Sequence, residues 1–168
     1  MLILGLDPGT AIVGWGLIDT GLRHDLNATT CVAYDCITTD KSLRDSQRLL
    51  AIANGLEQLL KVYTPDLVSV EKLFFTNNQK TAMTVSQARG VLLVGLERHG
   101  LEIVEYNPME VKQALTGYGR ADKAQIQSMV KLMLKLPGIP KPDDAADALA
   151  IALTAAQVYR PNVKIVQS

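Results

Sequence analysis

Asp147 is the one charged residue in the run from Ala145 to Ala156, A-A-D-A-L-A-I-A-L-T-A-A. That run is apolar on every face and reads as a helix packed inside the protein, where an unpaired ionised carboxylate is strongly destabilising. Asp144 precedes it by three residues, which puts both acids on one face of the helix. Two further acids close apolar strand-like runs, Asp7 after L-I-L-G-L and Glu71 after L-V-S-V. Acids at the ends of buried elements in three separate parts of the chain point to one shared cation site. Mg²⁺ is a hard cation that takes oxygen ligands. Two such ions about 3.5–4 Å apart can flank a phosphodiester, one activating water and the other stabilising the leaving oxygen. Clustered carboxylates raise one another's pKa, and a divalent metal removes that penalty. Singly, Asp7 also suits a turn before Pro8 and Glu71 an ordinary strand end. Jointly, the four acids favour a site.

The elements that must hold these acids follow from hydrophobic period. Met1–Leu6, Ile12–Asp19 and Thr29–Thr38 read as three successive strands with an antiparallel start. Between the first two, D-P-G-T is a turn, in which Gly9 is expected to be free to take positive φ. Ser42–Tyr63 changes to helical spacing, Asp66–Glu71 is a buried strand, and Asn78–His99 is a long helix ended by Gly100. That helix is apolar beyond one narrow stripe, which suits a core on one side and a partner subunit on the other. Leu101–Tyr106 is another strand. Asn107-Pro108 then starts a helix as cap and first-turn residue, and a further helix spans Asp122–Leu136. The linker P-G-I-P-K-P breaks the chain before the final helix, with Asp143 or Asp144 expected as its N-cap. The order β-β-β-α-β-α-β-α-α-α gives an α/β domain with a mixed sheet over residues 1–157 and a tail over 158–168.

Hydrophobic residues make up 48% of the chain and charged residues 20%, as in soluble globular proteins. No run has membrane-spanning length and no basic segment precedes the first apolar stretch, so the expected location is the cytoplasm, with no membrane partner. Cys31 and Cys36 are five apart in one strand and point to opposite faces, which argues against a disulfide. With two His, a zinc site has few ligands. The net charge is zero, but residues 1–71 carry five Lys/Arg against nine acids, and residues 72–135 nine against five. The basic middle segment is compatible with a polyanion, although charge alone slightly favours solvated helix faces.

Several long blocks, in collinear order from Met1 to about Ala156, resemble the RuvC family of Holliday junction resolvases. They are L-G-L-D-P-G-T, V-E-K-L-F-F-T-N-N, S-Q-A-R-G, E-Y-N-P-M-E-V-K-Q-A-L-T-G-Y-G-R-A-D-K-A-Q-I-Q and D-D-A-A-D-A-L-A-I-A. The resemblance implies an RNase H-like fold, a mixed central β-sheet flanked by α-helices. It implies a homodimer with two active sites that nicks four-way DNA junctions symmetrically with Mg²⁺, two ions per site or Mn²⁺ in its place, beside a branch-migration helicase complex. The catalytic and metal-holding acids would be Asp7, Glu71, Asp144 and Asp147, with Asp143 outside the set as a cap. Phe74 would contact bases at the branch point, and Lys112 and Lys123 would hold phosphates. Arg120 is a further candidate for phosphate, and Arg89 a candidate for phosphate or for a structural contact inside the dimer. Lys72 departs from the family pattern, but strand alternation should turn it away from the site.

Other readings compete. D-P-G-T also resembles the phosphate loop of actin- and sugar-kinase-type ATPases, but those need two related domains. A non-catalytic junction-binding protein would have lost one or more acids, and all four are present. Nucleases acting on other branched DNA or on RNA–DNA hybrids share the acids, and the Phe74, Lys112 and Lys123 blocks favour the junction.

Overall fold

Period-two alternation along the strands decides what each face of the sheet carries. The computed structural model describes residues 1–21, 28–73 and 79–160. Its elements are β1 (Leu2–Asp7), β2 (Ile12–Asp19), β3 (Thr30–Thr38), α1 (Asp45–Val62), β4 (Leu67–Glu71), α2 (Gln79–Arg98), β5 (Glu102–Tyr106), α3 (Pro108–Thr116), α4 (Lys123–Met133) and α5 (Asp143–Val158). The sheet order is β3-β2-β1-β4-β5. The first three strands pair antiparallel, and β1, β4 and β5 run parallel. The β-β-β-α-β-α-β-α-α-α order expected from the sequence is the one observed.

Each face has its own core. Ile3, Ile18 and Leu67 point toward α3, α4 and α5, where they meet Leu149, Ile151, Val130 and Leu115. Leu4, Leu6, Val13, Leu17, Val68 and Val70 point the other way, into Ile52, Leu56, Ala88, Leu92 and Leu96 of α1 and α2. The apolar helix α5 lies across the first face, with Ala145, Ala146 and the residues from Ala148 to Ala156 all buried. Two helical layers thus cover one mixed sheet. No helix among the described residues is long and apolar enough to cross a membrane.

Local signals account for most element ends. Asn107 caps α3 by accepting from the main-chain N–H of Met109 and Glu110, and Glu110 reaches back to Asn107 N. Gly100 ends α2 at φ 65°. Four expectations need correction. Gly9 is not at positive φ; it is small because an added Cβ would stand 2.3 Å from the Ile12 carbonyl oxygen. Neither Asp143 nor Asp144 is the N-cap of α5: Pro142 occupies that position, and no side chain makes a capping bond. Asp143 instead pairs with Lys141 Nζ at 2.5 Å, which holds its carboxyl below the usual carboxylate range. The third is α4, which stops at Met133 rather than Leu136, just before Lys135 turns to φ 52°. The fourth concerns the cysteines: both are free thiols, but they lie on the same, α5-facing side of β3, because a register shift against β2 between Leu17 and Ile18 breaks the alternation between them.

Candidate active site

Alternation puts Asp7 on the α5 face of β1, in step with Ile3 and Gly5, and Glu71 on the same face of β4, in step with Leu67 and Ser69. The two strands are parallel neighbours, with Leu6 in register with Val70. Both acids therefore stand side by side at the strands' C-terminal ends. The first turns of α5 cross the same edge and bring Asp144 and Asp147. Ser69 Oγ donates to the Ile151 carbonyl at 3.1 Å, tying α5 to β4 below the acids. Two strand glycines let the helix sit this low. An added Cβ on Gly5 would stand 2.0 Å from the Ala148 carbonyl oxygen, and one on Gly14 2.0 Å from that of Asp144. Gly14 is the β2 partner of Asp7. These glycines went unnoticed in the sequence; glycine interrupting an otherwise apolar strand was the available signal.

The acids feel one another. Burial pushes Asp7 up to about 8, and the charges of Glu71, Asp147 and Asp144 push the same way, opposed by Lys123. Burial likewise raises Glu71 to about 7, with Asp147 adding to it. Burial also raises Asp147, against the pull of its Lys123 partner. Among the described residues no three such groups already converge into a metal cage, as mutually repelling carboxylates would not. The donor chemistry nevertheless fits a hard divalent cation. It offers all-oxygen ligands and an excess of negative charge, on elements fixed by two cores.

Cations stand on the opposite wall. A cleft of about 200 Å³ is lined by Glu71, Asp147, Lys112, Lys123, Val111 and Ile151 among others. Lys123, the first residue of α4, places Nζ 2.9 Å from Asp147 Oδ2 and 3.7 Å from Asp143 Oδ2. The hydrogen bond to Asp147 raises its pKa. Lys112 reaches the cleft from α3. Arg120 is exposed on the α3–α4 connection and is not among the residues lining this cleft. Lys72 is exposed beside Glu71, as alternation requires. Phe74, and with it the expected contact to unpaired bases, lies outside the described residues. Arg89 bonds within its own chain, to the Glu71 main chain and to Glu105.

Comparison with known proteins gives one answer. Residues 3–155 match the family model described as crossover junction endodeoxyribonuclease RuvC. Proteins of that name from Brevibacillus brevis and Ruminiclostridium cellulolyticum are 52% and 48% identical to the chain. The first alignment covers 98% of this chain and 96% of the relative, the second 95% and 94%. Among solved structures, Thermus thermophilus RuvC in complex with a Holliday junction substrate superposes with a TM-score of 0.85 at 33% identity, covering 94% of this chain and 93% of its own. Yeast mitochondrial Ydc2, a Holliday junction resolvase, shares the fold at a TM-score of 0.65 and 11% identity.

Proposed function

The chain belongs to the RuvC family of crossover junction endodeoxyribonucleases, and from that premise we propose that it resolves four-way DNA junctions by paired, metal-dependent nicks at the acid cluster. The observation that carries this reading is the adjacency of Asp7 and Glu71 on one face of parallel strands, with the acidic turns of α5 laid across their ends. Asp7, Glu71, Asp144 and Asp147 are the catalytic acids that would hold two Mg²⁺ ions, or Mn²⁺ in their place. When bound, such ions offset the charge on a phosphodiester and acidify water at neutral pH. The chain's own residues do the rest. The four carboxylates sit on elements fixed by two cores, so only their side chains need draw together when a cation arrives. Val111 and Ile151 make part of the cleft wall apolar. The Nζ groups of Lys112 and Lys123 supply positive charge where a phosphate oxygen would lie. Cleavage leaves 5′-phosphate and 3′-hydroxyl ends.

A two-fold substrate calls for a two-fold protein. Helix α2 supports a homodimer, because Met83, Gly90 and Val94 are all exposed and fall on one face at helical spacing. The nuclease unit is residues 1–157, with 158–168 as a tail. The working environment is the cytoplasm, beside a branch-migration helicase complex acting on the same junction.

A labelled four-way junction and a matched linear duplex, each with Mg²⁺ or EDTA, test the reading. Paired nicks on opposite strands of the junction alone, requiring metal, are the expected result. Cleavage of the linear duplex would move the chain to another RNase H-like activity, and binding without cleavage under any divalent metal would make it a scaffold. Lys112 supports a second measurement. Lys112→Ala is expected to reduce the magnitude of the slope of log affinity against log salt by about one, the loss of one phosphate contact. An unchanged slope would make it a solvated lysine.

A further inference from the structure

Arg89 reaches from α2 to the strand end that carries Glu71. Its Nε donates to the Glu71 main-chain carbonyl at 3.2 Å, and its Nη2 pairs with Glu105 Oε1 on β5. Glu71 is the last residue of β4, paired with Tyr106 of β5, and Lys72 N extends that ladder to the Tyr106 carbonyl at 2.8 Å. The peptide plane leaving Glu71 is therefore held from two sides, by the ladder and by the guanidinium. Side chains 20% and 31% exposed make the Arg89–Glu105 pair less open to screening than a surface bridge. Arg89 touches the Glu71 main chain, so its effect on the carboxylate passes through backbone position. A planar guanidinium can hold a carbonyl and a carboxylate at once, which a single ammonium does less well.

We propose that Arg89 is a positioning residue: it clamps the ends of β4 and β5 to α2, and so holds the Glu71 carboxylate toward Asp7 and Asp147 against their mutual repulsion. The inference rests on the reading of Glu71 as a metal-holding acid. Because α2 also carries the exposed face of Met83, Gly90 and Val94, whatever packs on that face is one helix away from a catalytic acid.

The test measures Mn²⁺ binding to the junction-free full-length protein by calorimetry, and junction affinity in EDTA. The variants are Arg89→Lys, Arg89→Ala and Arg89→Ala with Glu105→Gln. Glu71→Gln serves as the reference. Arg89→Ala is expected to weaken Mn²⁺ binding by about 10- to 100-fold, the usual loss when a residue that orients a metal ligand is removed. Junction affinity in EDTA should stay unchanged, and Arg89→Lys should fall between. The double variant removes the stranded carboxylate, so it should recover thermal stability while its Mn²⁺ binding stays weak. Recovery of Mn²⁺ binding in the double variant would reduce Arg89 to a charge partner and overturn the proposal. So would a parallel loss of junction affinity in EDTA, which would mark a phosphate contact. Undiminished Mn²⁺ binding by Glu71→Gln would overturn the acid-site reading itself, and the role of Arg89 with it. Undiminished binding by Arg89→Ala alone would overturn only the latter.

Discussion

At pH 8 and without metal, Asp7→Asn protein is expected to melt at a higher temperature than the unaltered chain, and to cleave no junction at any metal concentration. The sign follows from proton linkage. Asp7 has an ordinary value of 3.8 and is pushed up to about 8 in the fold, first by burial and then by Glu71, Asp147 and Asp144. Between those values the folded state binds a proton that the unfolded chain has released, so stability falls as pH rises. The penalty is absent below 3.8 and complete above about 8. Glu71 adds a similar fall between 4.5 and about 7. At about 1.4 kcal/mol per pKa unit the cluster opposes folding by several kcal/mol at pH 8, shared among coupled carboxylates. An asparagine carries no charge at any of these pH values, so the variant's melting temperature should depend less on pH.

Divalent metal should reverse the ranking. Mg²⁺ bound by the folded state alone raises its stability, most strongly where the carboxylates are ionised, so the unaltered chain should gain most at pH 8 and least near pH 5. Asp7→Asn lacks one of the ligands and should gain less at every pH. Thermal melts from pH 5 to pH 8, with Mg²⁺ or EDTA, check all of this. A lower metal-free melting temperature for Asp7→Asn at pH 8 would show that Asp7 serves the turn at Pro8 rather than a repulsive cluster.

The sequence announced the site through misplaced charge. Asp147 stood out because it is the one charged residue in the run from Ala145 to Ala156, and the fold buries the rest of that run as expected. Strand and helix period placed the elements to within a few residues, since the two faces of each strand and the buried stripe of each helix are local properties. The pairing of Asp7 with Glu71 was not local. It depends on the parallel register of two strands separated by some sixty residues of sequence, and no local pattern encodes which strand lies beside which. The same limit hid the 2.9 Å bond between Lys123 and Asp147, which crosses from α4 to α5. It also hid Arg89, which acts on a carbonyl, a group that every residue has. Asp143 misled for a different reason. An acid after a proline is a good cap by type, but the proline itself took the cap position, leaving Asp143 to pair with Lys141.

A large loss of stability from a single methyl group is expected for Gly14→Ala. The added Cβ would stand 2.0 Å from the Asp144 carbonyl oxygen and 2.4 Å from its carbonyl carbon, both backbone atoms that no rotamer change can move aside. Either β2 or the first turn of α5 must shift. β2 is paired on both sides, to β1 and to β3, so the helix end is the part free to give. Overpacking of this kind typically costs about 1–3 kcal/mol, and a clash with backbone belongs at or above the top of that range. For a chain of this length that corresponds to a fall of about 10 °C in melting temperature. Gly138→Ala makes the control, because a Cβ there meets nothing within 4 Å. The consequence for chemistry is separable from the loss of stability. Lifting the first turn of α5 carries Asp144 and Asp147 away from Asp7 and Glu71, so Gly14→Ala should need more Mg²⁺ for half-maximal cleavage even where it is fully folded. It should also show less of the metal-free fall in stability with pH, since carboxylates moved apart repel one another less. A variant that melts lower yet keeps both the metal requirement and the pH response of the unaltered protein would mean that the site does not depend on how closely α5 sits against the sheet.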